Sequence, residues 1–224
     1  MRELYNTQLK TLCEEIAQLG QFCDDALAGA IKALHDNDND LARRIYKSDY
    51  IIDQKEREIE NLCLTIILHQ QPIASDLRLV SSALKMITDM ERIGDQASDI
   101  AEIVMNLDYA EKMYFKSIEE MAIIARGMVQ DSVEAFINQD IELARDVTDR
   151  DAEVDKYFAS ARDLMINLIV EHDHNAATIV DIIMIAKYLE RIGDHATNIA
   201  NWAIFHLMGE HPNRHPKPQA RLQA

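Results

Sequence analysis

The sequence predicts an all-α protein, in which six long helices form two tandem, quasi-repeated three-helix bundles. Composition is the first observation: among 224 residues there are 6 Gly and 4 Pro, while apolar residues make up 48% and aromatic residues 6%. Such a composition is typical of long helices packed through aliphatic and methionine side chains. The second observation is a repeat, because the pentapeptide Glu-Arg-Ile-Gly-Asp occurs at 91–95 and again 99 residues later at 190–194. A repeat of this length indicates an internally duplicated chain.

The helical periodicity divides the chain into six segments. Apolar residues recur at helical spacing between short polar breaks, which predicts helices at residues 3–35, 41–69, 72–106, 110–138, 141–171 and 176–208. The second and fifth helices match at a distance of 102 residues, and the third and sixth at 99. We therefore expect a first bundle over 1–107 and a second over 108–208, followed by a disordered tail at 209–224.

The breaks carry residues that commonly end or begin helices. A polar run at 35–40 ends the first helix, and a shorter one at 138–140 ends the fourth. Pro72 is expected in the first turn of the third helix, where its missing N–H costs nothing. Gly209 is expected to cap the end of the sixth helix.

Charge excludes several classes of partner. There are 39 Asp and Glu against 23 Lys and Arg, a formal charge of −16, so nucleic acid and anionic lipid should be repelled. No stretch approaches the ~18 apolar residues of a membrane span, and the first residues do not resemble a secretory signal. Three cysteines without a CxxC pair favour a reducing compartment. We expect a cytoplasmic protein without membrane insertion.

Pairs of carboxylates at i and i+4 recur on the second and third helices of each half. In an antiparallel hairpin, Asp53 and Glu91 lie at nearly the same level, because each is 17–19 residues from the turn. Carboxylates gathered in this way repel each other unless a cation lies between them, and they suit Mg²⁺, Ca²⁺, Mn²⁺ or iron. The predicted metal ligands are Asp49, Asp53, Glu91 and Asp95 in the first half and Asp151, Asp155, Glu190 and Asp194 in the second, with Glu56, Asp99 and Asn198 as additional candidates.

An ordinary solvated acidic surface is the alternative to a metal site. The repeated glycines, Gly94 and Gly193, indicate close helix approach rather than ligation. Arg92 and Arg191 are expected to pair with carboxylates on a neighbouring helix. His195 follows Asp194 but lies ~100° around the helix, so we do not assign it to a metal.

Enzyme motifs are lacking. The chain has no phosphate-binding loop, no GxGxxG and no GxSxG. A ferritin-like di-iron site needs two Glu-x-x-His motifs, and here Glu171-x-x-His174 has no mate. We therefore assign no catalytic residue.

Three segments together resemble the PhoU family, namely residues 72–78, 89–95 and 188–199. The resemblance covers residues 1 to about 208 and implies two three-helix bundles without catalytic activity. It also implies a regulator that restrains the phosphate-starvation response by linking the ATPase subunit of a phosphate ABC transporter to a sensor histidine kinase. We further expect a homodimer.

The resemblance also implies multinuclear metal clusters, of iron or zinc, on the acidic motifs. All eight predicted ligands are acidic here, and manganese or magnesium are further candidates. The halves differ, since Glu56 and Glu60 correspond to Phe158 and Arg162. Two other functions stay open: an accessory protein of another permease with a structural metal, and a carboxylate-bridged metalloenzyme.

Overall fold

The computed structural model describes residues 2–107, 115–171 and 175–210, and six α-helices make up nearly all of these segments. The prediction of six long helices is confirmed. Their bounds are α1 Arg2–Asp36, α2 Asn39–Gln70, α3 Ala74–Asn106, α4 Phe115–Asn138, α5 Ile141–Glu171 and α6 Ala176–Met208. The predicted start of the fourth helix at 110 and the predicted tail beyond 210 lie outside the described residues.

The turn between α2 and α3 differs from its prediction. Pro72 precedes α3 instead of lying in its first turn, because α3 begins at Ala74. The chain reverses before the helix starts: Gln71 caps α2 in the left-handed region with φ 48°, and Ile73 is extended.

The predicted cap at the end of α6 is confirmed, since Gly209 has φ 79° and donates its N–H to Phe205 O at 2.8 Å.

The duplication extends to the turn chemistry. Asn37 and Gln139, 102 residues apart, both have positive φ, at 55° and 57°. Each is followed by an aspartate that caps the next helix: Asp38 Oδ1 accepts from Leu41 N at 2.8 Å, and Asp140 Oδ1 accepts from Leu143 N at 3.0 Å. A capping carboxylate satisfies N–H groups that the first helical turn leaves open. The two halves therefore start their second helix in the same way.

The two bundles share one hydrophobic core. Helices α1, α3, α4 and α6 contact one another around a ring, while α2 packs on α1 and α3, and α5 packs on α4 and α6. Fully buried aliphatic side chains run continuously through both halves, from Leu12 and Ile16 in α1 to Ile199 in α6. Because that core is continuous, helices of one half help to position residues of the other.

Polar contacts fix both antiparallel seams of the ring. Between α1 and α4, Arg126 donates two hydrogen bonds to the buried carboxylate of Asp24, at 2.5 and 2.8 Å. Between α3 and α6, Arg78 Nε donates to His206 O at 3.0 Å, and Asn198 Nδ2 donates to Asp89 Oδ1 at 3.1 Å. Both helices of the α3–α6 seam carry the repeated pentapeptide.

Candidate metal centre

Close packing of α2 on α3 assembles the first acidic cluster, which comprises Asp49, Asp53, Glu91 and Asp95. A Cβ atom added at Gly94 would lie 2.8 Å from Ile52 Cδ1, and Ile52 is buried. The interpretation of this glycine as a close-approach residue is therefore confirmed. The short separation brings the carboxylates of both helices into one group.

Three carboxylates of the first cluster meet. One oxygen from each of Asp49, Asp53 and Asp95 lies within 4.8 Å of the others. In the part of the chain that the structure describes, no other set of three His, Cys, Asp or Glu ligand atoms is gathered so closely. Oxygen donors at such spacing suit a hard cation such as Mg²⁺ or Mn²⁺, and carboxylates also ligate iron and zinc.

The electrostatics of the first cluster favour a cation. Burial, followed by repulsion from Asp95, Asp53 and Asp99, raises the pKa of Asp49 to about 6. Burial and then the charge of Asp95 raise the pKa of Glu91 as well. Like charges in a partly desolvated site favour the protonated form. The cluster therefore holds more negative charge than its surroundings compensate.

Two carboxylate oxygens of this cluster are buried without a hydrogen-bond donor, Asp49 Oδ1 and Glu91 Oε2. A buried acceptor left unsatisfied costs ~1–3 kcal/mol. Arg92 Nε lies 3.3 Å from Glu91 Oε2 but does not form a hydrogen bond with it. A divalent cation bound by Asp49, Asp53 and Asp95 would satisfy the Asp49 oxygen, so these three residues fit the metal that the sequence predicts, whereas Glu91 lies outside that group of three.

Arg92 pairs differently from its prediction. Its Nη1 lies 2.7 Å from Asp95 Oδ2 on the same helix, three residues away, rather than reaching a neighbouring helix. The spacing i, i+3 places both side chains on one face of α3, which explains the contact. Its side chain is 54% exposed, so the pair is screened by solvent and contributes little.

The additional candidates of the first half border the cluster. Burial and then Asp95 raise the pKa of Asp99, while a hydrogen bond from Tyr188 lowers it. Burial and then Glu60 raise the pKa of Glu56. Tyr188 belongs to α6, so the second half helps to position a carboxylate of the first. Sequence reasoning did not find this contact, which requires the register of α3 against α6.

The second acidic cluster comprises Asp151, Asp155, Glu190 and Asp194 on α5 and α6. Packing there is looser, since a Cβ atom at Gly193 would lie at an ordinary contact distance, 3.5 Å, from Val154 Cγ1. The close approach expected at both glycines is therefore found at Gly94 and not at Gly193. Lys187 Nζ lies 2.5 Å from Glu190 Oε2. Sequence reasoning missed this lysine, although a Lys–Glu pair at i, i+3 on a helix is a recognisable signal. Metal binding by these four residues stays a prediction.

His195 and Asn198 both point to the first half. His195 Nδ1 lies 2.8 Å from Asp89 Oδ1, the same oxygen to which Asn198 donates. These contacts give His195 a partner across the seam. Asp89 was not singled out in the sequence, because its role depends on the packing of α3 against α6.

The motif Glu171-x-x-His174 ends at a residue outside the described ranges.

Among residues 2–107, 115–171 and 175–210, the structure contains no helix with an apolar stretch of the length that a membrane span requires.

The described fold agrees closely with solved structures. A crystal structure of PhoU from Pseudomonas aeruginosa superimposes with a TM-score of 0.89 and 32% identity, covering 92% of this chain and 100% of that one. The phosphate transport system regulatory protein PhoU from Streptococcus pneumoniae gives 0.88 at 25% identity, over 93% and 99% of the two chains.

Sequence comparison points to the same family. A phosphate-specific transport system accessory protein PhoU homolog from Clostridium acetobutylicum is 32% identical, over 93% of this chain and 96% of its own length. The homolog from Pseudomonas aeruginosa is also 32% identical, over 92% and 86%. The PhoU domain matches twice, at residues 16–104 and 118–203. With one match in each half and relatives that span nearly its whole length, the chain belongs to the PhoU family.

Proposed function

We propose that this protein is a metal-binding regulatory adaptor of phosphate uptake and signalling. In this proposal it restrains the phosphate-starvation response by linking the ATPase subunit of a phosphate ABC transporter to a sensor histidine kinase. The observation that carries it is the full-length similarity to proteins named as accessory proteins of the phosphate-specific transport system. Those names describe accessory proteins and not enzymes.

The first acidic cluster supports the metal-binding part of the proposal. Asp49 and Asp53 lie on α2, and Glu91 and Asp95 lie on α3, so a bound ion would join the two helices. Iron, zinc, manganese and magnesium are the candidate ions. The ion would supply the positive charge that the buried oxygens lack, and it would hold the α2–α3 surface in one geometry. A surface with a fixed geometry is suited to binding a partner protein without catalysing a reaction.

Two further parts of the proposal concern location and assembly. We place the protein on the cytoplasmic side of the membrane, where an ATPase subunit would be accessible. Its three cysteines are free thiols, which is compatible with a reducing compartment. The homodimer stays a prediction.

Affinity capture tests the adaptor function. The tagged full-length protein is incubated with solubilised membranes from phosphate-replete cells of its own organism, and bound proteins are identified by mass spectrometry. We expect enrichment of the ATPase subunit of the phosphate transporter or of the sensor kinase. A variant carrying D49N, D53N, E91Q and D95N tests whether the acidic surface contributes. Recovery of the components of a different permease, with neither expected partner, would contradict the proposal.

A further inference from the structure

Lys187 lies beside the second acidic cluster, at a place where the first cluster has no cation. It aligns with Thr88 of the first half, 99 residues earlier, and Thr88 is exposed. The Lys187 amine lies 2.5 Å from Glu190 Oε2, and the Glu190 side chain is only 12% exposed. Glu190 aligns with Glu91, so the two equivalent glutamates lie in different electrostatic surroundings.

A second difference between the two halves helps to hold Lys187 in place. Lys187 Nζ lies 5.3 Å from the centroid of the Phe158 ring on α5. Phe158 aligns with Glu56 of the first half, 102 residues earlier. An ammonium group over an aromatic face is attracted by the ring quadrupole. The lysine is therefore held between α5 and α6 by a carboxylate from one helix and an aromatic ring from the other.

The charges of the two aligned sites differ accordingly. Eight positions of the first site carry seven carboxylates and Thr88, while the equivalent positions of the second carry four carboxylates and two cations. The first set is Asp49, Asp53, Glu56, Glu60, Thr88, Glu91, Asp95 and Asp99, and the second is Asp151, Asp155, Phe158, Arg162, Lys187, Glu190, Asp194 and Asn198. The unsatisfied oxygens of Asp49 and Glu91 lie in the first site.

Arg92 does not make the first site equivalent to the second. Its guanidinium contacts Asp95 and Glu91 from the solvent side, and its side chain is 54% exposed. Lys187 is less exposed, at 39%, and its partner is nearly buried. An exposed arginine can move into solvent when an ion binds, whereas the lysine would have to leave both Glu190 and Phe158.

We propose that Lys187 is a built-in counter-cation for Glu190 of the second acidic cluster, so that the first cluster is the tight divalent-cation site and the second is weak. This inference rests on the metal binding proposed above. It makes Lys187 a specificity-determining residue, since a divalent ion competes with its amine for Glu190. One positive charge within about 6 Å of a divalent ion weakens its binding by about tenfold in water, and by less at longer distances.

The test exchanges the two aligned residues. Mn²⁺ is titrated by isothermal calorimetry into metal-stripped full-length protein, and bound metal is counted after gel filtration. We expect a tight and a weak class of site in the native protein. K187T should tighten the weak class by about tenfold, and T88K should weaken the tight class by a similar factor. K187M removes the charge but keeps most of the aliphatic stem, so it separates the effect of the charge from the effect of lost packing against Phe158.

Lys10→Thr is the matched control, because it removes the same charge from an exposed lysine that pairs with Glu14 at 3.4 Å. It should leave both classes unchanged. The quadruple variant D49N/D53N/E91Q/D95N, which removes the first cluster, then reports on the second, and it should bind Mn²⁺ weakly until K187T is added.

The outcomes separate the two proposals. Tight Mn²⁺ binding by D49N/D53N/E91Q/D95N with Lys187 present, or no tightening by K187T and K187M, would overturn the role of Lys187 and leave metal binding intact. Absence of Mn²⁺, Zn²⁺ or iron binding by both the native protein and K187T would overturn the proposed metal site, and this inference with it.

Discussion

The two acidic clusters descend from one repeated motif but have different surroundings. In the first, Gly94 lets α2 approach closely, and three carboxylates meet with two buried oxygens unsatisfied. In the second, the contact at Gly193 is looser and a lysine pairs with Glu190. The difference shows that an identical pentapeptide does not define a site. The uncompensated charge of each motif also depends on the helix packed against it and on the residue three positions before its glutamate, which is Thr88 in the first half and Lys187 in the second.

Removing the first cluster should have the largest effect on bound metal. We expect the quadruple variant D49N/D53N/E91Q/D95N to lose about half of the metal bound at saturation, and all of the tightly bound part. Helical content should be largely unchanged, because Asn and Gln nearly match Asp and Glu in size and the aliphatic core is not altered. Elemental analysis and circular dichroism measure the two quantities. The matched variant D151N/D155N/E190Q/D194N should retain the tight sites, and unchanged stoichiometry in the first variant would exclude the first-half assignment.

Chelation should destabilise the native protein. A ligand that binds only the folded state contributes about 2.7 kcal/mol at a hundredfold excess over its Kd. We therefore expect chelator to lower Tm and added Mn²⁺, Zn²⁺ or iron to restore it. Raised NaCl should recover part of the loss, because screening reduces repulsion without providing coordination. Complete recovery in NaCl alone would mean that the clusters are ordinary acidic surface.

The two motif glycines should respond to alanine with opposite signs. Gly94→Ala places a Cβ 2.8 Å from Ile52 Cδ1 and 3.0 Å from its Cγ2. Overpacking of ~1–3 kcal/mol should exceed the ~1 kcal/mol gained from helix propensity, for a net loss of about 1 kcal/mol. Gly193→Ala meets Val154 at an ordinary 3.5 Å and should gain up to about 1 kcal/mol. Urea unfolding of both variants measures the difference, and equal effects would contradict the unequal packing.

A smaller effect is expected in the pH dependence of the chelator-treated protein. The pKa of Asp49 is raised from 3.8 to about 6, first by burial and then by Asp95, Asp53 and Asp99. The folded state therefore holds a proton that the unfolded state has released, and stability should fall as pH rises from about 4 through 6. D49N should flatten this slope. Asp40→Asn, which removes a carboxylate that is 83% exposed, is the control and should leave the slope unchanged.

Periodicity and repetition were sufficient to predict the fold. The six helices and the cap at Gly209 follow from local patterns, which depend on neighbouring residues only. The duplication follows from the repeated pentapeptide. Pro72 was misplaced because helix starts depend on the backbone of the whole turn, here on Gln71 and Ile73.

The site was predicted less completely. The i, i+4 carboxylates could be found from spacing alone, and the antiparallel hairpin placed Asp53 near the level of Glu91. Contacts across the α3–α6 seam could not be predicted, because Asp89 with Asn198 and Tyr188 with Asp99 depend on a register between distant helices. The pair of Lys187 and Glu190 could have been predicted from its i, i+3 spacing. The contact of Lys187 with Phe158 could not, because it depends on the packing of α5 against α6.

The ion pair of the buried Asp24 with Arg126, whose side chain is 44% exposed, has a consequence for how the two halves associate. The two residues are 102 positions apart, so they occupy the same place in the two repeats, and they face each other across the α1–α4 seam. If two copies of the first repeat associated through this seam, aspartate would face aspartate, and two copies of the second would oppose their arginines. Like charges in contact repel each other, and here the repulsion would be stronger between the buried aspartates than between the exposed arginines. The opposite charges therefore favour association of each half with the other half over association with a second copy of itself.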